Sequence, residues 1–479
     1  MARRGHRVAV WAFGLAWLAL LAGCSTSPPA IALSTRQADA PGGHGPELRA
    51  WYATTTQGSW PSDMLLAAVL SFDHRPMSLN VAAYDISELN FQDHLLTVAA
   101  AGGAPDITYV GTEAELARLV RANVLEPLDA CRAAHPAFDG ILAEAWVGAA
   151  GRGETWGVPV TLSPNVLYYS KSRLRALGWS ATAIDELPAR IAAGDFTLFD
   201  LRDTAAAAVA AGVVRPGFGF TQRPSVSTRI SDYYLAFGGR AYDAPQDQLV
   251  INGDALAAAY AFRRELTAAD LIAPYLMDGS QNSWSSRLIW NDAIAQGRAL
   301  FWSAQLQDWQ KWPAIAARSA RGATPEQPVL SADDVGLAPW PSAVAGRPAT
   351  LVTHSAYLVI LNEAATGRQL QEEACALLAQ AMTPAIHAAT LSGSGLLSAL
   401  AVSPAAQRRM FTDYPDGVEL LLDHLTLIPS YIDHDTTGYY TILANYAGEA
   451  QEGQLTPADA ASGAVRQLRQ TIGDDLIVE

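Results

Sequence analysis

The chain has 479 residues, of which 50% are hydrophobic and 16% charged, and its formal net charge at pH 7 is -15. This length and hydrophobic content exclude a disordered chain and allow two or more domains around a large buried core. The acidic balance argues against nucleic acid and anionic lipid as partners, since both require clustered Lys and Arg on one surface.

The first residues have the composition of a secretory leader. Arg3, Arg4 and Arg7 precede an apolar run, Val8 to Ala22, which is shorter than the roughly 20 residues that a membrane span needs. We therefore predict a removable leader over residues 1–23 and export of the protein. The following stretch is rich in Ser, Pro, Gly and Ala without periodicity, which predicts a flexible linker over residues 24–46.

From Glu47 onward, strand and helix patterns alternate, which indicates a parallel α/β sheet. The polar loop after the first strand contains Thr55 and Gln57, and ligands in open α/β sheets lie beyond the carboxyl ends of strands. This loop is a candidate cleft wall, although a plain connection has the same composition. The predicted strands are Leu48–Ala53, Leu79–Tyr84 and Ile107–Val110, and the predicted helices are Ser62–Phe72 and Asn90–Ala101.

Glu113 follows the strand Ile107–Val110 directly, where Thr112 is placed to cap the next helix. A carboxylate at this position suits ligand hydroxyls, because it accepts two hydrogen bonds that its charge strengthens. Acidic residues are also common at helix N-termini for dipole reasons alone, so both roles stay open.

The stretch Gly157–Lys171, GVPVTLSPNVLYYSK, combines two apolar β-like runs with an interruption at Ser163, Pro164 and Asn165. Proline removes a donor from the strand ladder and fixes the backbone, so the interruption can present small polar groups in a cleft. An ordinary buried strand followed by a helix cap is the alternative.

The second half of the chain holds five closely spaced tryptophans. Flat amphipathic rings match the apolar faces of sugars, yet tryptophans are core residues more often, so we expect one or two to face a cleft. They are Trp284, Trp290, Trp302, Trp309 and Trp312. The segment Gly217–Thr221 lacks the third glycine of a nucleotide motif. A polar loop with Asp433, His434 and Asp435 has no fourth ligand nearby, and we interpret it as solvated.

Two cysteines remain beyond the leader region, Cys131 and Cys375. In an oxidising compartment they can form one disulfide, and two free buried thiols are the alternative, because cysteine packs well as a small apolar residue.

Several segments, in order, carry one resemblance. Gly157–Lys171 is similar to a crossover of the form G-[VL]-P followed by V-L-Y-Y-N-K, with Ser170 in place of Asn. Four more segments are similar to A-x-G-x-x-P-D-[IV], G-x-x-A-M-F, D-x-G-x-x-P-x-P and a closing G-x-x-[ST] helix: Ala99–Asp129, Gly297–Ser303, Asp334–Ile360 and Gly453–Leu468. Leu21-Ala22-Gly23-Cys24 resembles the bacterial lipobox. Together they resemble the sugar-binding lipoproteins of ABC transporters, extracellular solute-binding protein family 1, which are similar to maltose-binding protein.

The resemblance implies an α/β, two-lobed periplasmic-binding-protein fold of type II-like form with multiple hinge crossovers. Lobe 1 then comprises residues 47–155 and 340–410, and lobe 2 comprises residues 156–339 and 411–479. Such proteins capture a sugar by hinge closure and deliver it to a permease, and an oligosaccharide is our interpretation here. The candidate ligand contacts are Thr55, Gln57, Glu113, Asn165, Trp302, Trp340, His354 and Tyr440. Leu306 stands where the family pattern has tryptophan, which leaves open which indole faces the ligand.

The lipobox implies that Cys24 carries the lipid and anchors the protein outside the cytoplasm on the bacterial cell membrane. We expect a monomer without catalytic residues, cofactor or metal, whose partners are the sugar, the permease and the membrane. Two other functions remain possible on the sequence alone: an anchored glycosidase, which needs two carboxylates about 5 to 10 Å apart, and a ligand-sensing partner of a membrane receptor.

Overall fold

The computed structural model describes most of the chain from residue 32 to the C-terminus. The described residues are 32–41, 45–54, 59–72, 76–85, 88–222, 228–243, 246, 248–272, 284–319, 330–421, 425–427 and 436–479. The leader, Cys24, the loop with Thr55 and Gln57, and the loop with Asp433 lie outside them.

Helices and strands alternate through the first half, and helices dominate the end of the chain. The helices are α1 (Trp60–Leu70), α2 (Glu88–Ala99), α3 (Glu113–Arg121), α4 (Asp129–Ala134), α5 (Ala143–Val147), α6 (Lys171–Ala176), α7 (Ala181–Asp185), α8 (Leu187–Ala193), α9 (Leu198–Ala210), α10 (Thr228–Ala236), α11 (Gly253–Ala268), α12 (Trp284–Ala295), α13 (Lys311–Ser319), α14 (Glu363–Thr366), α15 (Gln371–Ala381), α16 (Pro384–Leu391), α17 (Pro404–Met410), α18 (Thr436–Gln451) and α19 (Pro457–Ile472). A 3-10 helix spans Leu306–Gln310.

The strands form one large mixed sheet and two small ones. They are β1 (Ala32–Asp39), β2 (Glu47–Ala53), β3 (Ser78–Tyr84), β4 (Ile107–Val110), β5 (Ala150–Gly151), β6 (Glu154–Thr155), β7 (Val158–Ser170), β8 (Phe220–Gln222), β9 (Tyr242–Asp243), β10 (Gln248–Ile251), β11 (Phe301–Gln305), β12 (Val335–Ala338), β13 (Leu351–Ile360), β14 (Leu397–Ser398), β15 (Leu425–Leu427) and β16 (Leu476–Val478). The main sheet has the order β1-β3-β2-β4-β13-β7-β11-β8, with β12 and β14 also paired to β7 and β15 to β13.

Strand β7 is the centre of this sheet. Its first half, Val158–Pro164, pairs with β13 and β14, and its second half, Asn165–Ser170, pairs with β11 and β12. The two apolar runs of the sequence are therefore one continuous strand, in which Pro164 lies between two sets of partners. All but one of its 13 residues are buried, as expected for a strand with partners on both edges.

Two buried clusters meet on β7. Val158, Val160, Leu162 and Tyr168 belong to the larger cluster, which also contains the strands β2 to β4 and helices α1, α3 and α15. Leu167 and Tyr169, on the opposite face, belong to a second cluster with α8, α9 and β8. A third cluster packs α10, α11, α18 and α19 around β10.

Most predicted elements are confirmed, and several helix ends follow the expected chemistry. β4 has the predicted bounds, and α3 begins after Thr112, whose side chain accepts from Glu115 N–H at 3.3 Å. α19 begins after Thr456, whose hydroxyl accepts from Asp459 N–H at 3.1 Å, and has Pro457 in its first turn.

Two expectations differ from the structure. Ala32–Asp39, part of the predicted linker, forms an edge strand antiparallel to β3; residues 34–37 are exposed, so the sequence carries no apolar alternation to indicate it. The residue pattern of Glu363–Met382 predicts one helix, but the structure has two, separated at Gly367. Gly367 has a φ of 66° and lies so close to Gly102 that a Cβ would be 2.7 Å from the Gly102 carbonyl oxygen.

Among the described residues no single helix is both long and apolar enough to cross a bilayer, and α15 and α16 meet those criteria only when joined across a 71° bend. In the same part of the chain, no group of three or more His, Cys, Asp or Glu side chains could hold a metal ion.

Cys131 and Cys375 form a disulfide between α4 and α15, which decides between the alternatives that the sequence left open. The bond joins residues separated by 244 positions. Such a long loop restricts the unfolded chain strongly.

We expect the double substitution Cys131→Ala and Cys375→Ala to lower the free energy of unfolding by about 2–5 kcal/mol. Urea denaturation of the folded domain measures the difference. Reductant should destabilise the parent protein by a similar amount and leave the double variant unaffected. If reductant leaves the free energy of unfolding of the parent protein unchanged at equilibrium, the disulfide does not stabilise the fold.

His387 is a neutral, buried link between α16 and β7. Its Nε2 lies 2.9 Å from the Val160 carbonyl, and its Nδ1 lies 3.0 Å from the Ser398 hydroxyl. Because the carbonyl can only accept, Nε2 carries the proton and Nδ1 accepts from Ser398. Burial lowers the pKa of His387 to about 4, and the Val160 carbonyl opposes this shift.

Between pH 6.5 and pH 4 the unfolded chain therefore binds a proton at His387 that the folded protein does not bind. The free energy of unfolding therefore decreases as the pH falls through this range. His387 alone accounts for a loss of about 3 kcal/mol at pH 4. The His387→Gln variant should be less stable at pH 7, because it loses part of the hydrogen bonding, but should lose less stability on acidification. Equal slopes of unfolding free energy against pH in both proteins would contradict this assignment.

Candidate functional site

Glu113 ties the beginning of α3 to the middle of β13. It is the first residue of α3, and the residue is only 9% exposed. One carboxylate oxygen accepts the Ser355 N–H at 2.6 Å, and the other lies 3.2 Å from His354 Nδ1. The carboxylate is thus held by two groups on one strand, in a fixed orientation.

His354 lies opposite the interruption in β7. In the antiparallel pairing of β13 with β7, His354 faces Ser163 and Thr353 faces Pro164. Directly opposed residues project to the same face of a sheet, with Cβ atoms about 4.5–5.5 Å apart. Ser163 and His354 are therefore neighbours, and the Ser163 hydroxyl is buried without a hydrogen-bond partner among the described residues.

Asn165 connects this face to α10. Its amide nitrogen donates to both carboxylate oxygens of Asp232, at 3.3 and 3.4 Å. Asp232 is 1% exposed. A buried carboxylate needs such donors, because its desolvation is costly.

Tyr440, on α18, completes the group. Burial raises the pKa of its hydroxyl, and Tyr234 and the nearby charges of Asp232 and Glu113 raise it further. The hydroxyl is therefore neutral at physiological pH. It is buried, and no described residue forms a hydrogen bond with it.

These six residues form what we call the polar cluster: Glu113, Ser163, Asn165, Asp232, His354 and Tyr440. Two come from predicted lobe 1 and four from predicted lobe 2, including the two in the interruption of β7, so the cluster joins groups from both predicted lobes. Carboxylate oxygens accept, hydroxyls donate and accept, and the Ser163 and Tyr440 hydroxyls are buried donors that a ligand can satisfy. The arrangement can bind a polar, hydroxylated molecule.

Four of the predicted contacts are brought together here: Glu113, Asn165, His354 and Tyr440. Trp302 and Trp340 have other contacts. Trp302 is 2% exposed and stacks on Tyr168, with ring centroids 5.7 Å apart. Trp340 is 1% exposed and packs edge-on against Tyr233 at 5.3 Å. Both rings are buried against other aromatic side chains, and their role as ligand platforms stays a prediction.

Sequence reasoning did not select Asp232 or Ser163 as site residues. Ser163 lies in the same interruption of β7 as Asn165, and only Asn165 is among the predicted ligand contacts. Asp232 lies in a helix among aromatic and apolar residues, in the sequence SDYYLAF. An acidic residue in such surroundings is a signal for a buried charge with a specific partner.

A match to a known protein family identifies the family to which the chain belongs. The family model for bacterial extracellular solute-binding proteins matches residues 86–386, more than half of the chain. The chain is a family 1 extracellular solute-binding protein. This family comprises binding proteins, and its members act outside the cytoplasm. A search of curated protein sequences finds no match.

Solved structures of other binding proteins share the fold of this solute-binding protein. MalE of Xanthomonas citri has a TM-score of 0.67 at 16% identity, covering 88% of this chain and 96% of its own. The GacH receptor of Streptomyces glaucescens, solved unliganded and with acarbose, has a TM-score of 0.64 at 16% identity, with 90% and 99% coverage. Lmo0181 of Listeria monocytogenes, in complex with cycloalternan, has a TM-score of 0.63 at 15% identity, with 89% and 99% coverage. The predicted two-lobed α/β fold is thereby confirmed.

Proposed function

We propose that this solute-binding protein captures a sugar at the polar cluster by hinge closure and delivers it to an ABC permease. One observation carries the proposal: groups from both predicted lobes and from the strand between them converge on one buried set of hydrogen-bonding atoms. The solved relatives with acarbose and cycloalternan bind saccharides. A sugar matches the cluster, because its hydroxyls can donate to carboxylates and accept from hydroxyls and amides.

Closure follows from the division of the cluster between the predicted lobes. Glu113 and His354 belong to predicted lobe 1, and Asp232 and Tyr440 to predicted lobe 2. A ligand shifts an opening equilibrium only through contacts that differ between the states. A sugar that contacts both pairs gains its full set of hydrogen bonds only in the closed form, which the permease then distinguishes from the open form.

The anchor belongs to the same proposal. The leader over residues 1–23 directs export, and diacylated Cys24 holds the protein at the outer face of the cell membrane. Two acyl chains are needed for stable attachment, since each buried CH₂ contributes about 0.8 kcal/mol and one chain gives only marginal binding. The protein would then act as a monomer beside its permease.

A glycosidase is the principal alternative, since the polar cluster contains two carboxylates, Glu113 and Asp232, and the charges of both raise the pKa of the Tyr440 hydroxyl. Both carboxylates already accept specific protein donors, Ser355 N–H and the Asn165 amide, which suits ligand orientation. Binding without turnover is therefore the expected behaviour.

The test uses purified protein without its leader and a panel of glucose, maltose, maltotriose, maltotetraose, cellobiose, cellotriose, xylobiose and xylotriose, with amino acids and polyamines for comparison. We expect thermal stabilisation by at least one saccharide, with the saccharide recovered intact. Glu113→Gln and Asn165→Ala should weaken its affinity roughly 10- to 100-fold, since hydrogen bonds to charged groups contribute about 1.5–3 kcal/mol.

The matched control is Glu186→Gln, which removes an exposed carboxylate remote from the polar cluster and should leave affinity unchanged. Stabilisation by amino acids or polyamines alone would overturn the ligand class. Hydrolysis of an oligosaccharide that stops in Glu113→Gln would support the enzyme instead.

For the anchor, we expect the full chain expressed in a bacterial host to fractionate with membranes and to incorporate labelled palmitate. Cys24→Ser should abolish labelling, because the thiol that takes the lipid is missing. Persistent palmitate labelling of Cys24→Ser would contradict the assignment.

A further inference from the structure

Strand β1 fixes the N-terminal part of the described chain to the outer edge of the main sheet. The whole strand, Ala32–Asp39, pairs antiparallel with β3, Ser78–Tyr84. Directly after it, Ala40 is buried, and its N–H donates to the Met77 carbonyl at 2.8 Å. The strand is therefore paired from end to end and followed by a further backbone hydrogen bond.

Side chains add to this backbone pairing. Arg36 contacts the Asp63 carboxylate and donates to the Ser62 hydroxyl at 3.2 Å, and both partners lie on α1. Ala38 packs against the larger buried cluster. Exposed ion pairs contribute little energy, so the Arg36 contact chiefly fixes the position of the strand against α1. β1 thus packs on predicted lobe 1.

This pairing shortens the segment between the acylated cysteine of the proposed anchor and the folded body. Seven residues, 25–31, separate Cys24 from Ala32, and such a segment spans at most about 29 Å. Without β1, the 22 residues between Cys24 and Glu47 would span up to about 80 Å. The paired strand therefore limits how far the sheet can lie from the lipid.

The chain enters the sheet at the edge where the polar cluster begins. Ala32 faces Tyr84, the last residue of β3, which in turn faces Ala53, the last residue of β2. β4 continues the parallel register and ends at Val110, and Glu113 follows three positions later. Strands lie about 4.8 Å apart, so the start of β1 is roughly 14 Å across the sheet from the end of β4. We call this the Glu113 edge of the sheet.

We propose that β1 clamps the lipid tether to predicted lobe 1 and thereby turns the Glu113 edge toward the bilayer. This inference rests on the proposed anchor at Cys24. Predicted lobe 2 carries no tether, so it is the body that moves relative to the membrane during hinge closure. The polar cluster then stays on the side of the protein that faces the permease.

Energy transfer on the full, acylated protein in phosphatidylcholine vesicles tests the orientation, with a donor on one introduced cysteine and an acceptor on lipid headgroups. Asp85→Cys places the donor at an exposed position after Tyr84. Leu70→Cys places it at the opposite edge, because α1 runs back from the end of β2 toward the beginning of β3, and Leu70 is 58% exposed. We expect stronger transfer from position 85. Equal or stronger transfer from position 70 would overturn the orientation.

Two matched insertions test the clamp. Sixteen Gly and Ser residues inserted between Ser27 and Pro28 lengthen the tether and should move the label at position 85 roughly 11 Å further from the bilayer. The same insertion between Gly42 and Gly43, after β1, should change this distance by less than about 3 Å, because the strand stays paired and a longer loop costs little. Equal shifts from both insertions would show that β1 does not hold the tether.

Hydrogen exchange on the protein without its leader separates the clamp from the anchor. We expect the β1 amides that pair with β3 to exchange at least about tenfold more slowly than in an unstructured peptide. Arg36→Glu, which places a like charge beside Asp63, should accelerate this exchange. Arg466→Glu, on an exposed position of α19, is the matched control and should leave it unchanged. Unprotected β1 amides in the parent protein would overturn the clamp and leave the anchor intact, whereas a full chain that is not acylated would overturn both.

Discussion

The backbone pairing of β7 is the constraint on which the rest of the molecule depends. A strand of 13 residues exchanges its partners at Pro164, from β13 and β14 to β11 and β12. Proline cannot donate to a ladder, so the exchange takes place where one hydrogen bond is missing in any case. The first half of the strand packs in the larger buried cluster, while the second half packs on both clusters, with Tyr168 on one face and Leu167 and Tyr169 on the other. The polar side chains beside Pro164 lie where the partner strands change.

The polar cluster is costly to form, and its protein partners explain how it is tolerated. Burying a carboxylate requires donors, and Glu113 obtains a backbone N–H from β13 while Asp232 obtains the Asn165 amide. The Ser163 and Tyr440 hydroxyls remain buried without partners among the described residues. Donors and acceptors held in place before the ligand arrives reduce the entropy lost on binding, which favours affinity over stability.

The sequence predicted those features that depend on local chemistry. The bounds of β4, the Thr112 cap and the polar interruption in β7 follow from residue type and spacing, and they indicated in which elements Glu113 and Asn165 lie. Trp302 and Trp340 could not be assigned in the same way, because a large aromatic side chain suits a buried core position and a cleft wall equally well. β1 is an edge strand with exposed side chains, and the contact of Asp232 with Asn165 spans 67 residues, so neither leaves a local pattern.

A disulfide and a buried histidine link elements on one side of the polar cluster. The Cys131–Cys375 disulfide joins α4 to α15, and His387 joins α16 to β7 through Val160 and Ser398. These links brace the helices behind the first half of β7, next to β13 and therefore next to Glu113 and His354. The groups that approach from the other side, Asp232 and Tyr440, are carried by α10 and α18, which pack in the third cluster. Under the proposed hinge closure, two separately packed surfaces would let the ligand change the distance between them without distorting either.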